Sequence, residues 1–414
     1  MAVNADPAAE AAVAYLRTPQ AIRERAGAIL TRGLDDGLHH FRIDLARLTP
    51  AADLVASITR ARFPDLHVPV HSRWRHFDVG GCDRAAELEA ALARRSNDER
   101  ARARIDLAVV SVLLDAGAGQ AWRYHEAETR EDYGRSEGLA VASFRLFAHG
   151  VFSADPVDPW RADAPALRAL TDERLAEGLQ VSAGNPLPGI HGRAAVLRGL
   201  GGALEQAPDL FDKDEPRPGH LLDALRTRAD GRCVAAADLL TTVLRGFGSI
   251  WPGRLSLGGV PLGDVWRHSA AGGNGPGADL VPLHKLSQWL TYSLIEPLQS
   301  ADLDVTALDS LTGLAEYRNG GLFVDTGVLV PRHEAVVREA HRPGDEIVVE
   351  WRALTVALLD RLAPLVCQRL APAGRDLPLA SILEGGTWVA GRQLADERRR
   401  GAAPIVVESD GTVM

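Results

Sequence analysis

Lys285 is the residue whose type most clearly asks for a chemical reason. The chain carries 46 Lys and Arg side chains, and only Lys213 and Lys285 among them are lysines. A sequence so biased toward arginine uses guanidinium wherever any cation serves. A surviving lysine therefore points to a need for a compact ammonium with rotatable donors. Lys213 lies in DLFDKDEPRPG, an exposed turn without such a need. Lys285 lies in VPLHKLSQWLTYSLIEPL, which reads as a helix opened by Pro282. One stripe of that helix carries Lys285, Gln288, Trp289, Tyr292 and Glu296, and the opposing stripe carries Leu286, Leu290 and Leu294. A polar stripe with Trp and Tyr predicts the wall of a wet pocket, where aromatics stack on a ligand and Lys and Gln bond its oxygens. The alternative is an exposed face with two half-buried aromatics.

A second stretch, TALDSLTGLAEYRNGGLFVDTGVL from Thr306 to Leu329, supplies a carboxylate. Ser310 reads as the N-cap of a short helix through Arg318, ended by Asn319-Gly320-Gly321 in left-handed geometry. Glu316, Tyr317 and Arg318 then occupy its last turn. At that negative end of the helix dipole an ionised Glu316 is disfavoured, and its pKa rises toward that of a general base, unless it pairs with Arg318. Asp325 follows, able to orient a water or a hydroxyl. The third stretch is HSRWRHF, His71 to Phe77. Read as extended, it aims His71, Arg73 and Arg75 one way and Ser72, Trp74 and His76 the other. Arg73 and Arg75 could clamp one phosphate or carboxylate, or be neutralised by Asp78 and Asp83. Metal binding by His71 and His76 is disfavoured, because no third ligand follows at a motif spacing.

Helices must position these groups, and the spacing of apolar residues predicts a mainly α fold with few strands. Arg84 to Ala116 reads as one or two helices, and Pro165 to Gln180 and Ala235 to Leu244 read likewise. Asp345 to Leu370 is the clearest case: Ile347, Trp351, Leu354, Leu358 and Leu365 share one face, with Arg352 beside it. His67 to Val70 and Arg254 to Leu262 are the candidate strands. No βαβ alternation, dinucleotide fingerprint or P-loop appears. Pro208 to Gly219 separates an N-terminal half (1–207), which contributes HSRWRHF, from a C-terminal half (220–414) carrying the candidate active site. The two are expected to form one compact unit. The loop AAGGNGPGA, Ala270 to Ala278, precedes Lys285 and reads as a lid or as an idle surface loop.

A formal net charge of -9 opposes nucleic-acid binding, while leaving room for a small phosphate in a local basic pocket. No apolar run approaches the roughly 18 residues of a membrane span, and the first ten residues resemble no secretory signal. Cys82, Cys233 and Cys367 are widely separated, without redox or zinc spacing, and read as reduced, buried thiols of a cytoplasmic protein. Neither a metal nor another cofactor is expected.

HSRWRHF, KLSQWLTYSLIEPL, LTGLAEYRNGGLFVDTGVL, VEWRALTVALLDRL, LEGGTW and the terminal SDGTV together resemble the fourth uracil-catabolism protein family of fungi and bacteria, from about His39 onward. More distantly, Lys285 and LTGLAEYR (Leu311 to Arg318) are similar to the Lys-bearing helix and LTxxADYR segment of queuosine-salvage nucleoside hydrolases. Those are helical proteins related to helix-hairpin-helix glycosylases, and Glu316 stands where they have Asp. The resemblance implies a helical glycosylase-like architecture and an N-ribosyl hydrolase that releases urea from ribosylurea or its 5′-phosphate. It implies Glu316 as the carboxylate activating water and Lys285 as the cation at the leaving urea or the ribose. Trp289 and Tyr292 would hold the urea, with Gln288, Tyr317, Arg318 and Asp325 beside them. His71, Arg73 and Arg75, or Arg352, would take a 5′-phosphate. A non-catalytic pyrimidine-metabolite sensor and an amidohydrolase acting on the opened ring are the alternatives.

Overall fold

The computed structural model describes residues 6–251, 255–370, 377–408 and 411–412. Helices dominate, and the described strands pair only into two-stranded sheets. The helix Glu346–Leu370 packs against Pro19–Leu34, Leu48–Arg62 and Tyr317–Asp325. Of the predicted face, Trp351, Leu354 and Leu358 are buried while Ile347 and Leu365 are half-buried, and Val348 and Leu362 are buried in their stead. A second layer sets Lys285–Ser300 against Asn97–Leu114, which in turn packs on Arg135–Ala148. One apolar cluster runs through both layers, from Ile22 to Ile405.

Several expectations hold. Arg84 to Ala116 forms two helices, Arg84–Ala91 and Asn97–Leu114. Ala164–Ala169 has Pro165 in its first turn and is followed by Asp172–Gly178. Ala236–Phe247 is helical. Others need correction. Residues 67–70 form no strand. Of the second candidate strand, Arg254 lies outside the described residues, and the rest is a hairpin pairing Ser256–Leu257 with Val260–Pro261. Pro282 does not open a helix: Leu280–Pro282 pairs antiparallel with Val265–Arg267, and the helix begins at Lys285 after His284 at φ 44°. Nor are the cysteines buried, for Cys233 is exposed and Cys82 and Cys367 are half-buried.

The most consequential correction concerns the carboxylate. Residues 311–316 are not helical, and Ser310 caps nothing there. The helix is Tyr317–Asp325 and Glu316 is its N-cap, accepting from the amides of Arg318 (2.7 Å) and Asn319 (2.5 Å). Asn319-Gly320-Gly321, expected to end a helix, sits inside one. Tertiary packing decides this, because Trp388–Arg399 lies so close that a Cβ on Gly391 would strike the Arg318 backbone. Glu316 thus stands at the positive end of a helix dipole, not the negative end.

Candidate active site

A cavity of about 480 Å³ opens where the Lys285 helix, the Glu316 cap, the HSRWRHF segment and the C-terminal strand meet. Lys285 owes its place to Asp264. One Asp264 oxygen accepts from the Lys285 backbone N–H (2.9 Å), and its backbone carbonyl accepts from Leu283 and His284. Arg352 grips the same carboxylate with two nitrogens, each at 2.8 Å, and Trp266 Nε1 adds a bond at 2.6 Å. Burial pushes the Asp264 carboxyl up, but Arg352 outweighs it and holds the group well below the usual carboxylate range.

Lys285 and Glu316 both line the cavity, each only 7% exposed. Burial lowers the Lys285 ammonium, opposed by the charges of Asp115 and Glu316. Burial raises the Glu316 carboxyl, opposed by its two amide bonds and by Lys285. The expected rise in Glu316 therefore occurs through lost hydration, while the helix end acts against it. Lys285 Nζ lies 5.8 Å from the centre of the Trp289 ring. Trp289 lines the cavity, while its Nε1 is sealed from solvent and has no hydrogen-bond partner among the described residues.

HSRWRHF is not extended but turns through a 3-10 helix, Arg73–His76. Pro297 shapes this contact from within the Lys285 helix. Lacking an N–H, it leaves the Ser293 carbonyl free, and Trp74 Nε1 donates to that carbonyl at 2.9 Å. Ser293 Oγ accepts from the Arg73 amide. The turn sends His71 and His76 into the cavity wall and separates the two arginines. His71 stacks on Trp289 and bonds through Nδ1 to Glu384 (2.8 Å). An ionised Glu384 can only accept, so Nδ1 carries the proton. Arg73 lies beneath the wall, bonded to Ser111 and Ser136 and 3.3 Å from Asp115. Arg75 points elsewhere, to Glu296 at 2.6 Å. The two cannot clamp one anion.

Of the other residues singled out, Tyr317 and Arg318 line the cavity and four do not. Gln288 and Tyr292 share the helix with Trp289 but are spent on Thr312, which fixes the segment leading to Glu316. Asp325 is held by Arg399 at 2.6 and 2.8 Å. Arg352 is committed to Asp264. The Ala270–Ala278 loop is no part of the cavity wall; Arg25 ties it down through the Ala271 and Ala278 carbonyls.

Residues 15–414 match a family described as "Protein of unknown function (DUF1688)". The chain belongs to this family. It is 40% identical over 410 residues to "Protein urg3" of Schizosaccharomyces pombe, covering 97% of this chain and 98% of the relative. It is 38% identical over 436 residues to "Uracil catabolism protein 4" of Lachancea kluyveri, again covering 97% and 98%.

Sequence reasoning missed part of this DUF1688 cavity. Asp115 follows the helix Asn97–Leu114, and its two carboxylate oxygens, each 2.7 Å from Ser136 Oγ, share that hydroxyl's one proton. The glycines of DAGAGQ after it line the rim, and that Gly-bearing turn was the available clue. His76 was weighed only as a metal ligand. Burial, then the charge of Arg73, lowers it to about 4, so it is neutral at physiological pH. Its Nδ1 lies 3.3 Å from an Arg73 nitrogen that can only donate, so Nδ1 is the acceptor. Trp388, the end of LEGGTW, closes the wall beside His76. Arg135 was not anticipated; only its backbone, at φ 56°, sets it apart.

Proposed function

We propose that this protein is an N-ribosyl hydrolase of uracil catabolism, releasing urea from ribosylurea or its 5′-phosphate. The observation that carries the reading is that Glu316 and Lys285, two buried groups of opposite charge, line one cavity close enough for each to shift the other's ionisation. The name of the Lachancea kluyveri relative supports the pathway, and the likeness of LTGLAEYR to LTxxADYR supports the reaction class.

Breaking the bond between C1′ and the urea nitrogen develops positive charge at C1′ and negative charge on the departing urea. Glu316 stabilises the first and takes a proton from the water that attacks C1′. Both its oxygens already accept amide bonds, which fixes the carboxylate and leaves lone pairs toward the cavity. Lys285 donates to the leaving urea as its charge grows. The water adds to C1′, the C1′–N bond breaks, and the nitrogen takes up a proton, giving ribose (or ribose 5-phosphate) and urea. Trp289, with His71 stacked on it, offers the planar urea a flat surface.

The test is incubation with ribosylurea and with its 5′-phosphate, following urea, with Glu316→Gln in parallel. Urea from the wild type alone is the expected result. Binding without urea release from either compound would leave a metabolite sensor. A product that retains the ribose–nitrogen bond would make the protein an amidohydrolase.

A further inference from the structure

The arginines first matched to a phosphate are all neutralised inside the fold. Arg73 has Asp115, Arg75 has Glu296 and Arg352 has Asp264. Two other arginines in the cavity wall are not matched in this way. Arg318 is 3% exposed and its buried Nε has no hydrogen-bond partner among the described residues. Its guanidinium lies 4.7 Å over the Tyr317 ring and donates through Nη1 to the Gly401 carbonyl at 3.2 Å. Arg135 reaches the same glycine: at Gly401, with φ 86°, an added Cβ would strike the Arg135 guanidinium. Its acid partner is Asp396, at 3.8 Å and 52% exposed, a distance and exposure at which an ion pair is worth little.

We propose that Arg135 and Arg318 form a phosphate-monoester subsite in this cavity, so that the 5′-phosphorylated ribosyl compound is the true substrate. The sugar in this statement rests on the hydrolase reading above; the phosphate rests on the arginines. Two guanidiniums converging on one glycine repel each other, and that repulsion is relieved by a dianion between them. Burial, then the charge of Arg318, lowers the Arg135 pKa, as expected of like charges held close. The acids nearby are already engaged, Asp115 by Arg73 and Ser136, Glu316 by backbone amides. Arg135 also begins the helix Arg135–Ala148 in left-handed geometry, a conformation that persists for a non-glycine residue when the surroundings impose it. Glu316 and Arg318 flank Tyr317 in the chain. Glu316, Arg135 and Arg318 all line the one cavity, so a single ribosyl phosphate can meet the carboxylate and the two guanidiniums together.

Calorimetric titration with ribose 5-phosphate and with ribose tests this without a mutation. The expected result is binding of the phosphate about 10- to 100-fold tighter than of ribose, the usual effect of charge-assisted bonds. Arg135→Ala should erase most of that preference and Arg135→Lys should restore part of it, with unchanged melting temperatures. Equal affinity for the two sugars, or a preference untouched in Arg135→Ala, overturns the subsite. Equal kcat/KM for ribosylurea and its 5′-phosphate overturns it too, while leaving the hydrolase reading intact. Arg135-dependent binding of ribose 5-phosphate with no urea from either compound does the reverse.

Discussion

Glu126 and Glu316 are both withdrawn from water, and the protein holds them in opposite ways. Glu126 is fully buried between Arg84 (Nε at 2.8 Å) and Arg145 (Nε at 2.6 Å), with Thr129 Oγ donating at 2.9 Å. Burial pushes its carboxyl up, but the bonds from Arg84 and Arg145 outweigh this and bring it down to about 2. Glu316 has two backbone amides and the charges of Lys285 and Arg318 nearby, but no side chain bonded to it, and these do not cancel its burial. A closed network of full charges is scaffold, for nothing remains to bind a ligand. An open one stores unfavourable charge that a substrate or a proton can relieve. The contrast recurs among the cations, with Arg352 gripped on both sides by Asp264 and Arg318 left with a nitrogen unpartnered among the described residues.

The sharpest way to break this comparison is to neutralise each glutamate in turn. Glu316→Gln should lower turnover by about 10²- to 10⁴-fold, the usual contribution of a general base. Retention of more than a tenth of the wild-type rate in the urea assay would sink the assignment. Its effect on stability should have the unusual sign. Because the folded-state pKa is raised, the folded protein holds the proton more tightly than the unfolded chain. The resulting stabilisation is present in acid and lost as pH rises through the folded value. At neutral pH the ionised carboxylate is therefore a burden; Glu316→Gln removes it but turns one capping oxygen into an NH2 that cannot accept its amide bond, so the variant should lose this pH dependence while its cap is weakened.

Glu126→Gln should do the converse. Removing the charge between two buried guanidiniums costs about 3–5 kcal/mol, read as a lower midpoint in urea denaturation, with kcat of the folded fraction unchanged. The pH dependence has the ordinary sign. With a depressed folded value, the stability Glu126 contributes is present above the unfolded carboxylate pKa of about 4.3 and lost as pH falls toward 2. The variant should therefore show a flatter stability curve across that window. A variant as acid-sensitive as wild type would mean that Glu126 is not what its network holds ionised.

Arg352→Lys lies between the two classes, since Arg352 reaches the site through other groups, gripping Asp264 and donating from Nε to the Ala315 carbonyl (3.1 Å) beside Glu316. Replacing a two-pronged grip by a single ammonium should cost about 1.5–3 kcal/mol of stability. It should also lower kcat about tenfold with a smaller change in KM, because Asp264 then holds the Lys285 amide less firmly and the ammonium is misplaced. Loss of stability with kcat intact would reduce Arg352 to a structural ion pair.

How far the sequence could be read follows the same division. Helical periodicity exposed the long elements, because an apolar face such as Val348, Trp351, Leu354 and Leu358 is repeated along the chain. Lys285, Trp289 and Glu316 were legible through residue type and resemblance. What periodicity could not carry was the direction of a side chain in a short irregular segment. Glu316 was placed at the wrong end of a helix because its capping depends on packing against Trp388–Arg399, far away in sequence. Arg73 and Arg75 were given a shared face because an extended and a 3-10 backbone differ by contacts with Ser293 and Glu296 that the local sequence does not contain. Arg135 and Asp115 come from segments with no visible chemistry, and only the fold brings them to the cavity.

The smallest expected effect belongs to His76, and it separates wall from machinery. Burial and the charge of Arg73 lower it to about 4, so it stays neutral across the working range and cannot supply the acid limb of a pH–rate profile. Under the proposed mechanism that limb belongs to Glu316, whose ionised form would take the water proton. His76→Gln keeps a neutral side chain that can accept from Arg73, and should change kcat/KM only a few-fold while leaving the limb in place. Its trace should appear in stability instead. The folded value is depressed, so the stability that neutral His76 supplies is present above the unfolded pKa of about 6.5. It is lost as pH falls through about 4, and His76→Gln should flatten the curve between those two values. A limb that moves with His76→Gln would transfer the proton chemistry from the helix cap to the HSRWRHF turn.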